Sequence, residues 1–515
     1  MAHGDQSAIG LNRDAGYIAA LYFRRQFLLG PASFSPTDSW RHFPLKHGLC
    51  LSAHPDLDVV VGSRGAVTIA LLGLALDSLS PGSSALGIVQ RLAGAGPEIT
   101  TTVDATRPLC GRWIVICQNS DATYLFTDPF GFRQVYYYSD GTRTWCGSQP
   151  EIINAVAGLT ADIDTATLQF LLSAAYSREE SAWVGDKTIY AGCYHLMPNH
   201  YLDLKACAQV RFYPKPALSE TTTSRIIDDA AGILDGTYTA ISRLGNIAQA
   251  LTAGWDSRVL LAASRPFAHK VQYFVDQMGI LPEGDPDIWV PRRLGRKLGL
   301  SVAVRDSADD LPGWLVSLLA KNVTGARILP KSRMIYAQLT GGPEGLRING
   351  NGSELCRNFY DKYHRVPDGR QLDSRALAAL LGYKDISYAE REIAMWRASL
   401  FLLGGCGNEV LDMLYWEQRL GNWGAQYPAE QDIAVDEISP FCNRLLIETL
   451  LKAPRESRSA PEYTLYQELI KAMWPEVLSV PINPRNRLSM ASVKRRLRPY
   501  LPNVVRKSLR FGRPR

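Results

Sequence analysis

The sequence predicts a two-domain α/β protein, in which a β-rich domain precedes a domain built on a parallel sheet. The chain has 515 residues, which is too long for one ordinary core. Residues 111–138 alternate apolar and polar positions and are rich in strand formers, as in an antiparallel meander. From Ile247 to Val304, short apolar strands alternate with helices, which is the pattern of a parallel sheet covered by helices.

The composition describes a folded protein with a basic end. Hydrophobic residues make up 46% and charged residues 21% of the chain, which excludes a disordered protein. The apolar stretch 66–76 is too short to cross a bilayer, and the first residues lack the pattern of a signal peptide. Nine cysteines without C-x-x-C spacing, and histidines without a metal motif, predict a reduced cytoplasmic protein without a zinc site.

The positive charge is concentrated in the last residues. Residues 485–515 carry eleven Lys and Arg and no acidic residue, and the rest of the chain has 45 basic against 50 acidic residues. The net charge of +6 therefore describes a mildly acidic body with a basic tail. We expect a solvated extension, with contact to an anionic membrane or nucleic acid as the alternative.

One turn is specific enough to predict chemistry. An apolar strand from Ile247 leads into Thr252-Ala-Gly-Trp-Asp-Ser257, and a helix follows. Small residues let the backbone approach a phosphate, while N–H groups and the helix dipole attract it. Because the carboxylate of Asp256 repels phosphate, its presence predicts a Mg²⁺ ion between them. The alternative is an ordinary strand-to-helix turn with Asp or Ser near the N-cap.

This turn resembles the pyrophosphate-binding loop of ATP pyrophosphatases, Ser-Gly-Gly-x-Asp-Ser. A second turn, Gly350-Asn-Gly-Ser-Glu-Leu355, resembles the second pyrophosphate and metal loop of the asparagine synthetase family, Gly-x-Gly-x-Asp-Glu-Leu, but is one residue shorter and lacks the Asp. The resemblance implies that Asp256 and Glu354 hold Mg²⁺ and that Glu354 is also catalytic. The residues that it assigns to ATP and pyrophosphate are Thr252, Ala253, Gly254, Asp256, Ser257, Gly350, Gly352 and Ser353.

The N-terminal half resembles the glutaminase domain of the same family. The matching segments are Asp128-Pro-Phe-Gly-Phe-Arg133 with the tyrosines after it, residues 148–152 and residues 188–198. The resemblance implies an Ntn-hydrolase-like domain with αββα layers. The family's glutaminase uses a cysteine directly after the initiator methionine, but this chain has Ala2 there, and its first cysteine is Cys50. We expect an inactive scaffold domain, with Cys50 acting alongside a histidine as the alternative.

The resemblance covers about residues 60–485 and gives the domain boundaries. It implies a glutaminase-like domain over residues 1–213, a junction near residues 214–223, and an ATP-pyrophosphatase domain over residues 224–484. The second domain is expected to be a parallel α/β domain of the adenine nucleotide α-hydrolase type with a helical cap. Residues 485–515 form the basic tail.

Several further residues are weaker candidates. Asp287, at the start of a predicted helix, is the nearest match to an Asp that follows the family's adenine-contacting strand; a helix N-terminal carboxylate is the alternative. Lys471, Arg485 and Arg487 lie where a cation could neutralise departing pyrophosphate, and Lys471 is assigned as catalytic. The alternative for each of the three is an ordinary surface cation, which is the commoner explanation. Residues 439–448 resemble one more motif of the family.

These observations predict an ATP-dependent, AMP-forming carbon–nitrogen ligase. A carboxylate attacks the α-phosphate of ATP to give an acyl-adenylate and pyrophosphate, and ammonia or an amine then displaces AMP to give an amide. By resemblance the default reaction is that of asparagine synthetase, aspartate plus ammonia, in asparagine biosynthesis. The alternatives are a lasso-peptide or β-lactam-type cyclase, an amidotransferase of a polysaccharide pathway, and a catalytically silent regulatory homologue.

The implied partners follow from this chemistry. They are a small-molecule or peptide carboxylate, and ammonia or an amine, with ATP and Mg²⁺. We expect no nucleic acid partner, and a homodimer is left open.

Overall fold

A computed structural model describes residues 15–214, 221–307, 310–341, 345–362, 365–402 and 410–484. The strands are β1 (Phe27–Gly30), β2 (Arg41–Pro44), β3 (Cys50–Ala53), β4 (Val59–Arg64), β5 (Val67–Asp77), β6 (Leu109–Gln118), β7 (Thr123–Thr127), β8 (Tyr136–Ser139), β9 (Thr144–Gly147), β10 (Cys193–His195), β11 (His200–Asp203), β12 (Ala208–Arg211), β13 (Ile247–Ala250), β14 (Val271–Asp276), β15 (Val302–Arg305), β16 (Leu346–Ile348) and β17 (Glu437–Ile438).

The helices complete the described secondary structure. They are α1 (Ala15–Ala19), α2 (Ala85–Ala93), α3 (Ile99–Ala105), α4 (Pro150–Ala157), α5 (Thr165–Leu171), α6 (Ala174–Arg178), α7 (Thr223–Ile241), α8 (Trp255–Ala263), α9 (Pro286–Leu298), α10 (Gly313–Asn322), α11 (Ser332–Thr340), α12 (Ser374–Leu380), α13 (Ser387–Phe401), α14 (Val410–Met413), α15 (Ala425–Gln431), α16 (Arg444–Leu451) and α17 (Thr464–Met473). A π-type helix covers Leu414–Gly424. Short 3₁₀ helices cover Arg265–Lys270, Ser353–Arg357, Phe359–Lys362, Gly369–Gln371 and Pro475–Ser479.

Two antiparallel six-stranded sheets form the N-terminal half. The first sheet has the order β10-β8-β9-β1-β3-β2, and the second has the order β12-β11-β7-β6-β5-β4. Their facing sides share one core, in which Phe27 and Leu51 of the first sheet join Leu72 and Ile114 of the second. Helix α4 packs on the first sheet and α2 on the second. The layers are therefore helix, sheet, sheet and helix.

The middle of the second sheet is covered on both sides. Strand β6 is buried along its whole length, and β5 is buried at nine of its eleven residues. A strand covered on both faces is apolar almost continuously, which explains the long apolar stretch at residues 66–76.

Across the described ranges, we find no helix with both the length and the apolar character that crossing a membrane requires.

The prediction of one meander over residues 111–138 is wrong. Strands β6 and β7 pair antiparallel in the second sheet, but β8 pairs with β9 and β10 in the first. The chain changes sheets at Asp128. Its buried carboxylate accepts backbone hydrogen bonds of 3.1, 3.0 and 2.8 Å from Phe130, Phe132 and Arg133. Alternating apolar residues predict each strand correctly but do not identify the neighbours of that strand.

The third sheet has five parallel strands in the order β15-β14-β13-β16-β17. Strand β13 comes first in the chain, β14 and β15 are added on one side of it, and β16 and β17 on the other. The winding direction therefore reverses between β13 and β16. Ligands of open parallel sheets bind at the carboxyl ends of the strands at such a reversal. The two turns singled out in the sequence follow these two strands.

Buried contacts join the N-terminal sheets to the remainder of the chain. Arg112 of β6, which is 1% exposed, pairs with Asp432 at 2.8 Å and with Asp436 at 3.2 Å. The indole Nε1 of Trp416 donates to the carbonyl oxygen of Pro129 at 2.6 Å. Arg112, Asp432 and Trp416 are all buried. Because these contacts exclude water, the two halves are packed as one body.

Several sequence predictions stay untested by the fold. The junction near residues 214–223 falls between β12 and α7, but residues 215–220 lie outside the described residues. Ala2, Arg485, Arg487 and the whole basic tail also lie outside them. Cys50 is the first residue of β3, and the eight cysteines of the described ranges are all free thiols.

Candidate functional site

The candidate site is the pair of turns at the carboxyl ends of β13 and β16. Asp256 of the first turn and Ser353 of the second are 97 residues apart in the chain, yet the Ser353 hydroxyl donates to the Asp256 carboxylate. A Cβ atom added to Gly350 would lie 2.6 Å from the Cβ of Asp256, so only glycine allows the turns to approach this closely. The fold therefore brings the two predicted loops into direct contact.

The first turn is held by its own side chains. The N–H of Thr252 donates to Ser257 Oγ at 3.1 Å, and the N–H of Gly254 donates to Thr252 Oγ1 at 3.2 Å. The N–H of Ala253 donates to Asp287 Oδ1 at 2.9 Å. Several N–H groups expected to face phosphate are thus bonded within the protein. The first-turn N–H groups of α8, which a helix leaves without intrahelical partners, are the donors that a phosphate would meet.

Asp287 lies beneath this turn. Its carboxylate holds the Ala253 backbone and accepts the 2.9 Å bond described above. Burial raises the pKa of Asp287, and the Ala253 hydrogen bond partly opposes that shift. The sequence related Asp287 to adenine, whereas the structure gives it a contact that shapes the first turn.

A guanidinium lies beside the two predicted metal ligands. Arg357 Nη2 is 2.7 Å from Asp256 Oδ1 and 3.7 Å from Glu354 Oε1. The guanidinium carbon of Arg357 is 5.3 Å from the ring centre of Tyr463 and 5.9 Å from that of Tyr466. The protein's own cation therefore occupies the place where the sequence predicts a divalent ion.

The carboxylates and the guanidinium perturb one another. Burial, followed by the charge of Asp256, raises the pKa of Glu354, and Arg357 opposes this shift. Burial alone would lower the pKa of Arg357, but the charges of Asp256 and Glu354 outweigh it and raise that pKa. The site thus has a strong electrostatic preference for a cation at this point.

Two tyrosines fix the second turn from either side. The Tyr466 hydroxyl of α17 donates to the Ser353 carbonyl oxygen at 2.9 Å. The hydroxyl of Tyr415, in the π-type helix, interacts with the Glu354 carboxyl and opposes the rise in its pKa that burial causes. The turn is therefore held by two helices that are distant in sequence.

Lys471 is not brought to these residues. Its ammonium pairs with Glu468 at 2.6 Å, and 51% of its side-chain surface is exposed. It follows Tyr466 by five positions in the same helix, which places it about 140° around the axis from the tyrosine that faces the site. No contact between Lys471 and either turn occurs among the described residues, and its catalytic role stays a prediction.

Arg258 of α8 attaches the last described segment of the chain to the site. Its guanidinium is fully buried and donates to the carbonyl oxygens of Val477 at 2.7 Å and Pro481 at 3.0 Å. The N–H of Asn483 then donates to the carbonyl oxygen of Ala253 at 3.0 Å. The chain therefore passes beside the first turn just before the described residues end at position 484.

The donor chemistry of the turns suits Mg²⁺. Asp256, Glu354 and Ser353 present oxygen atoms, and Mg²⁺ is commonly held by one or two carboxylates, with phosphate and water completing its octahedron. The position of Arg357 shows that the turns accommodate a positive charge at this point. These residues fit the ion once the guanidinium has moved away from Asp256.

Sequence reasoning missed Arg357, Tyr415 and Tyr466. Arg357 follows Glu354 by three positions, a spacing that suggests a local ion pair on a helical turn. That spacing gives no sign that the guanidinium reaches Asp256 on another strand. The two tyrosines lie in helices more than 50 residues away, and only the packing brings them to the turn.

Comparisons with known proteins add little. No protein-family model matches the chain, and no curated protein matches it. Solved structures that match include glutamine phosphoribosylpyrophosphate amidotransferase from B. subtilis, complexed with ADP and GMP, at 9% identity over 65% of this chain and 71% of that one, with a TM-score of 0.24. Another is glutamine-dependent NAD+ synthetase from Acinetobacter baumannii in complex with ADP, at 13% identity, 47% and 50% coverage and a TM-score of 0.19. TM-scores this low support no conclusion about the fold or the function of this protein.

Proposed function

We propose that this protein is an ATP-dependent, AMP-forming carbon–nitrogen ligase of the asparagine synthetase type. The observation that carries the proposal is the meeting of two glycine-containing turns, with Asp256 and Glu354, at the reversal point of a parallel sheet. Each turn separately resembles a pyrophosphate loop in sequence. Their contact in the fold supports a single site that receives a triphosphate.

The proposed chemistry has two displacements. A substrate carboxylate oxygen attacks the α-phosphorus of ATP, the bond to pyrophosphate breaks, and an acyl-adenylate forms. An amine nitrogen then attacks the acyl carbon, AMP leaves with the bonding electron pair, and the amine gives up a proton to solvent. The first step depends on position and charge, which the turns and the N-terminus of α8 would supply. Mg²⁺ held by Asp256 and Glu354 would supply further neutralisation of the triphosphate charge.

We assign to Arg357 the role that was predicted from the sequence for Lys471, which is to neutralise the departing pyrophosphate. Its guanidinium already lies at the turns, and it keeps its charge at every relevant pH. Once Asp256 is engaged by another cation, the guanidinium is free to pair with the departing pyrophosphate. An arginine fork suits phosphate oxygens because it donates two parallel hydrogen bonds.

We define the substrates only by their chemical class. The acid is a small-molecule or peptide carboxylate, and the nitrogen donor is ammonia or an amine. Lasso-peptide or β-lactam-type ring closure and amide formation in a polysaccharide pathway follow the same two steps. In each case we propose that the N-terminal half serves as a scaffold for the ligase site in a cytoplasmic protein.

One observation favours a second candidate function, that of a catalytically silent regulatory homologue. Arg357 neutralises the carboxylates that would hold the metal, and the N–H groups of Thr252, Ala253 and Gly254 are bonded internally. A protein with this arrangement that binds ATP without using it would fit these contacts equally well.

Exchange of labelled pyrophosphate into ATP separates the two candidates. We expect exchange with at least one acid when the pure protein is incubated with Mg·ATP and pools of amino acids, dipeptides and small carboxylic acids. Asp256→Asn should slow that exchange by a factor of about 10² to 10³, as loss of one charge-stabilising group does in other enzymes. Asp310→Asn, at a carboxylate that is 94% exposed, is the matched control and should exchange normally. Binding of ATP without exchange for any acid would identify the silent homologue.

A further inference from the structure

The amino ends of the parallel strands, opposite the candidate site, form a basic edge. Three segments lead into the neighbouring strands β13, β14 and β15, and they cover residues 242–246, 265–270 and 296–301. These segments contain five Lys and Arg and no Asp or Glu, although residues 1–484 as a whole are mildly acidic. The five cations of this basic edge are Arg243, Arg265, Lys270, Arg296 and Lys297.

The register of the strands brings the three segments together. Ile247, the first residue of β13, pairs with Val271, the first residue of β14. Val302 of β15 pairs with Tyr273, two residues into β14. With neighbouring strands about 4.8 Å apart and a rise of about 3.3 Å per residue, the first residues of the three strands lie within about 12 Å of one another. The cations therefore surround one small surface.

Most of this charge is not neutralised within the protein. Arg243, Lys270 and Arg296 are exposed, and none of them forms an ion pair with another described residue. Lys297 is also exposed and donates to a backbone carbonyl oxygen at 3.0 Å. Glu476, exposed in the 3₁₀ helix that packs on α9, offsets one of the charges. The basic edge is thus open to an anionic partner.

An exposed leucine lies beside the basic edge. Leu79, which is 64% exposed, belongs to the loop that follows β5. A Cβ atom added to Gly236 of α7 would lie 1.9 Å from the Ser78 carbonyl oxygen, so this loop packs directly on α7. Farther along the loop, a Cβ atom added to Gly82 would lie 3.8 Å from a guanidinium nitrogen of Arg243. The loop therefore holds an apolar side chain outside the core and close to a cation.

The chemistry of this surface favours an anionic membrane over a nucleic acid. Single-stranded nucleic acids bind to exposed aromatic rings, on which the bases stack. At this edge the indole of Trp474 is only 9% exposed, and the Arg265 guanidinium covers it at 5.6 Å from the ring centre. Cations beside an exposed leucine suit a layer of anionic headgroups, because the charges stay at the surface while the leucine enters the boundary with the acyl chains.

We propose that the basic edge, with Leu79 beside it, is a docking surface for an anionic lipid membrane. The carboxyl ends of β13 and β16 then face away from the lipid, so the candidate site stays open to solvent. Because the two surfaces lie at opposite ends of the same strands, the proposal does not depend on ATP binding at the two turns.

Co-sedimentation of the whole protein with lipid vesicles tests the proposal. We expect binding to phosphatidylcholine vesicles that contain about 30% phosphatidylserine to be at least about tenfold tighter than binding to phosphatidylcholine alone. Combined Arg243→Gln, Lys270→Gln and Arg296→Gln substitutions should weaken this binding about a hundredfold, since each cation near such a surface contributes a factor of about five. Equal binding to both kinds of vesicle would overturn the proposal.

A charge-matched variant controls for the change in net charge. Combined Arg64→Gln, Lys205→Gln and Lys384→Gln substitutions remove three exposed cations elsewhere on the protein and should leave vesicle binding unchanged. Equal binding by the two triple variants would assign the lipid contact to other residues, such as the basic tail, and would contradict the proposal. Thermal unfolding checks that each variant is folded.

A second pair of variants tests the apolar contact. Leu79→Ser should weaken binding to the anionic vesicles about tenfold, because an apolar side chain no longer leaves water. Ile280→Ser, at a side chain that is 53% exposed beyond the carboxyl end of β14, is the control and should bind like wild type. Wild-type binding by Leu79→Ser would show that the leucine does not enter the membrane and would overturn the proposal.

Acetylation of lysines in the wild-type protein decides the matter if a variant does not fold. Anionic vesicles should slow the acetylation of Lys270 and Lys297, measured by mass spectrometry, at least about threefold and leave Lys205 and Lys384 unchanged. Equal rates with and without vesicles would contradict the proposal. Protection of Lys270 and Lys297 by a single-stranded RNA, without protection by vesicles, would identify a nucleic acid as the partner and overturn it.

Discussion

Arg357 sets the charge balance of the candidate site. It contacts Asp256 and Glu354 and stacks on two tyrosines, so its guanidinium competes directly with any metal ion for the same carboxylates. A guanidinium that must leave the carboxylates before the metal binds weakens the apparent metal affinity, because the free energy of its own interaction with them has to be overcome.

Removing that competitor should strengthen metal binding. We predict that Arg357→Met raises the affinity for Mn²⁺, measured by its electron paramagnetic resonance signal without nucleotide, by at least tenfold. The same variant should lose most pyrophosphate exchange, because the cation that faces pyrophosphate is gone. Arg265→Met, at an arginine stacked on Trp474 instead, is the control and should leave both unchanged. Equal Mn²⁺ affinity in wild type and Arg357→Met would show that Arg357 does not compete with the metal ion.

His195 gives the stability of the protein a definite pH dependence. Burial lowers its pKa to about 4, against an ordinary value of about 6.5 in the unfolded chain. Between these values the unfolded chain binds a proton that the folded chain does not, so stability is complete above pH 6.5 and falls as the pH decreases. Between pH 6.5 and pH 5 this one group should cost about 2 kcal/mol.

Urea unfolding at several pH values measures this effect. Between pH 6.5 and pH 5, the free energy of unfolding of His195→Phe should depend on pH as if about one proton fewer were bound on unfolding than in wild type. His269→Phe, at an exposed site, is the control and should keep the wild-type slope. If His195→Phe unfolds with the wild-type slope, burial does not keep His195 neutral in the folded protein.

At the scale of elements, the turn that follows β7 supports the turn that follows β16. Phe130 is fully buried, and a Cβ atom added to Gly352 would lie 2.3 Å from its ring. Gly352 also has a φ of +89°, which favours glycine. The N-terminal half thus forms part of the surface against which the second pyrophosphate-like turn is built.

Truncation of this ring should weaken nucleotide binding from a distance. We predict that Phe130→Ala lowers Mg·ATP affinity about tenfold, because the cavity left behind lets the second turn move, and destabilises the protein by about 3 to 5 kcal/mol. Phe126→Ala removes an equally buried ring, 1% exposed, from the opposite face of the second sheet. It should cost similar stability without changing ATP affinity. Equal ATP affinity in both variants would show that Phe130 has no part in holding the turn.

Local patterns predicted elements well and their partners poorly. Strands β6, β7, β13 and β14, and helix α9, lie where the sequence places them, because each has a clear apolar period and its own start and stop residues. The assignment of β8 to the first sheet depends on the buried turn at Asp128. The alternation of apolar and polar residues does not indicate that turn. Likewise, the two loops could be predicted from their glycines and small residues. The contact between Arg357 and Asp256 could not, because it depends on β13 and β16 lying side by side in the sheet.

At the scale of the whole molecule, buried ion pairs join the two halves. Arg112, Asp432 and Asp436 meet where β6 faces the segment between α15 and β17, and Arg211 pairs with the buried Glu417. Breaking one such pair leaves an uncompensated buried charge at a cost of about 3 to 5 kcal/mol. The sequence predicts two domains, but it contains no sign that their interface is charged, since these residues are far apart in the chain.

This interface predicts cooperative unfolding. We expect one calorimetric transition for the whole wild-type protein, and Arg112→Met should lower its midpoint temperature, because Asp432 then stays buried without its partner. Arg143→Met removes an exposed arginine of the same half, 59% exposed, and should leave the midpoint unchanged. Two separate wild-type transitions would contradict the view that the halves form one body.

Calorimetric titration with Mg·ATP tests most simply whether a triphosphate docks where β13 and β16 end. The decisive pair of variants is Gly350→Ala, whose added Cβ would collide with Asp256, and Gly232→Ala, whose added Cβ meets nothing within 4 Å. We expect saturable heat for wild type and Gly232→Ala and at least tenfold weaker binding for Gly350→Ala. No ATP uptake by the wild-type protein, or equal uptake by all three, would contradict it.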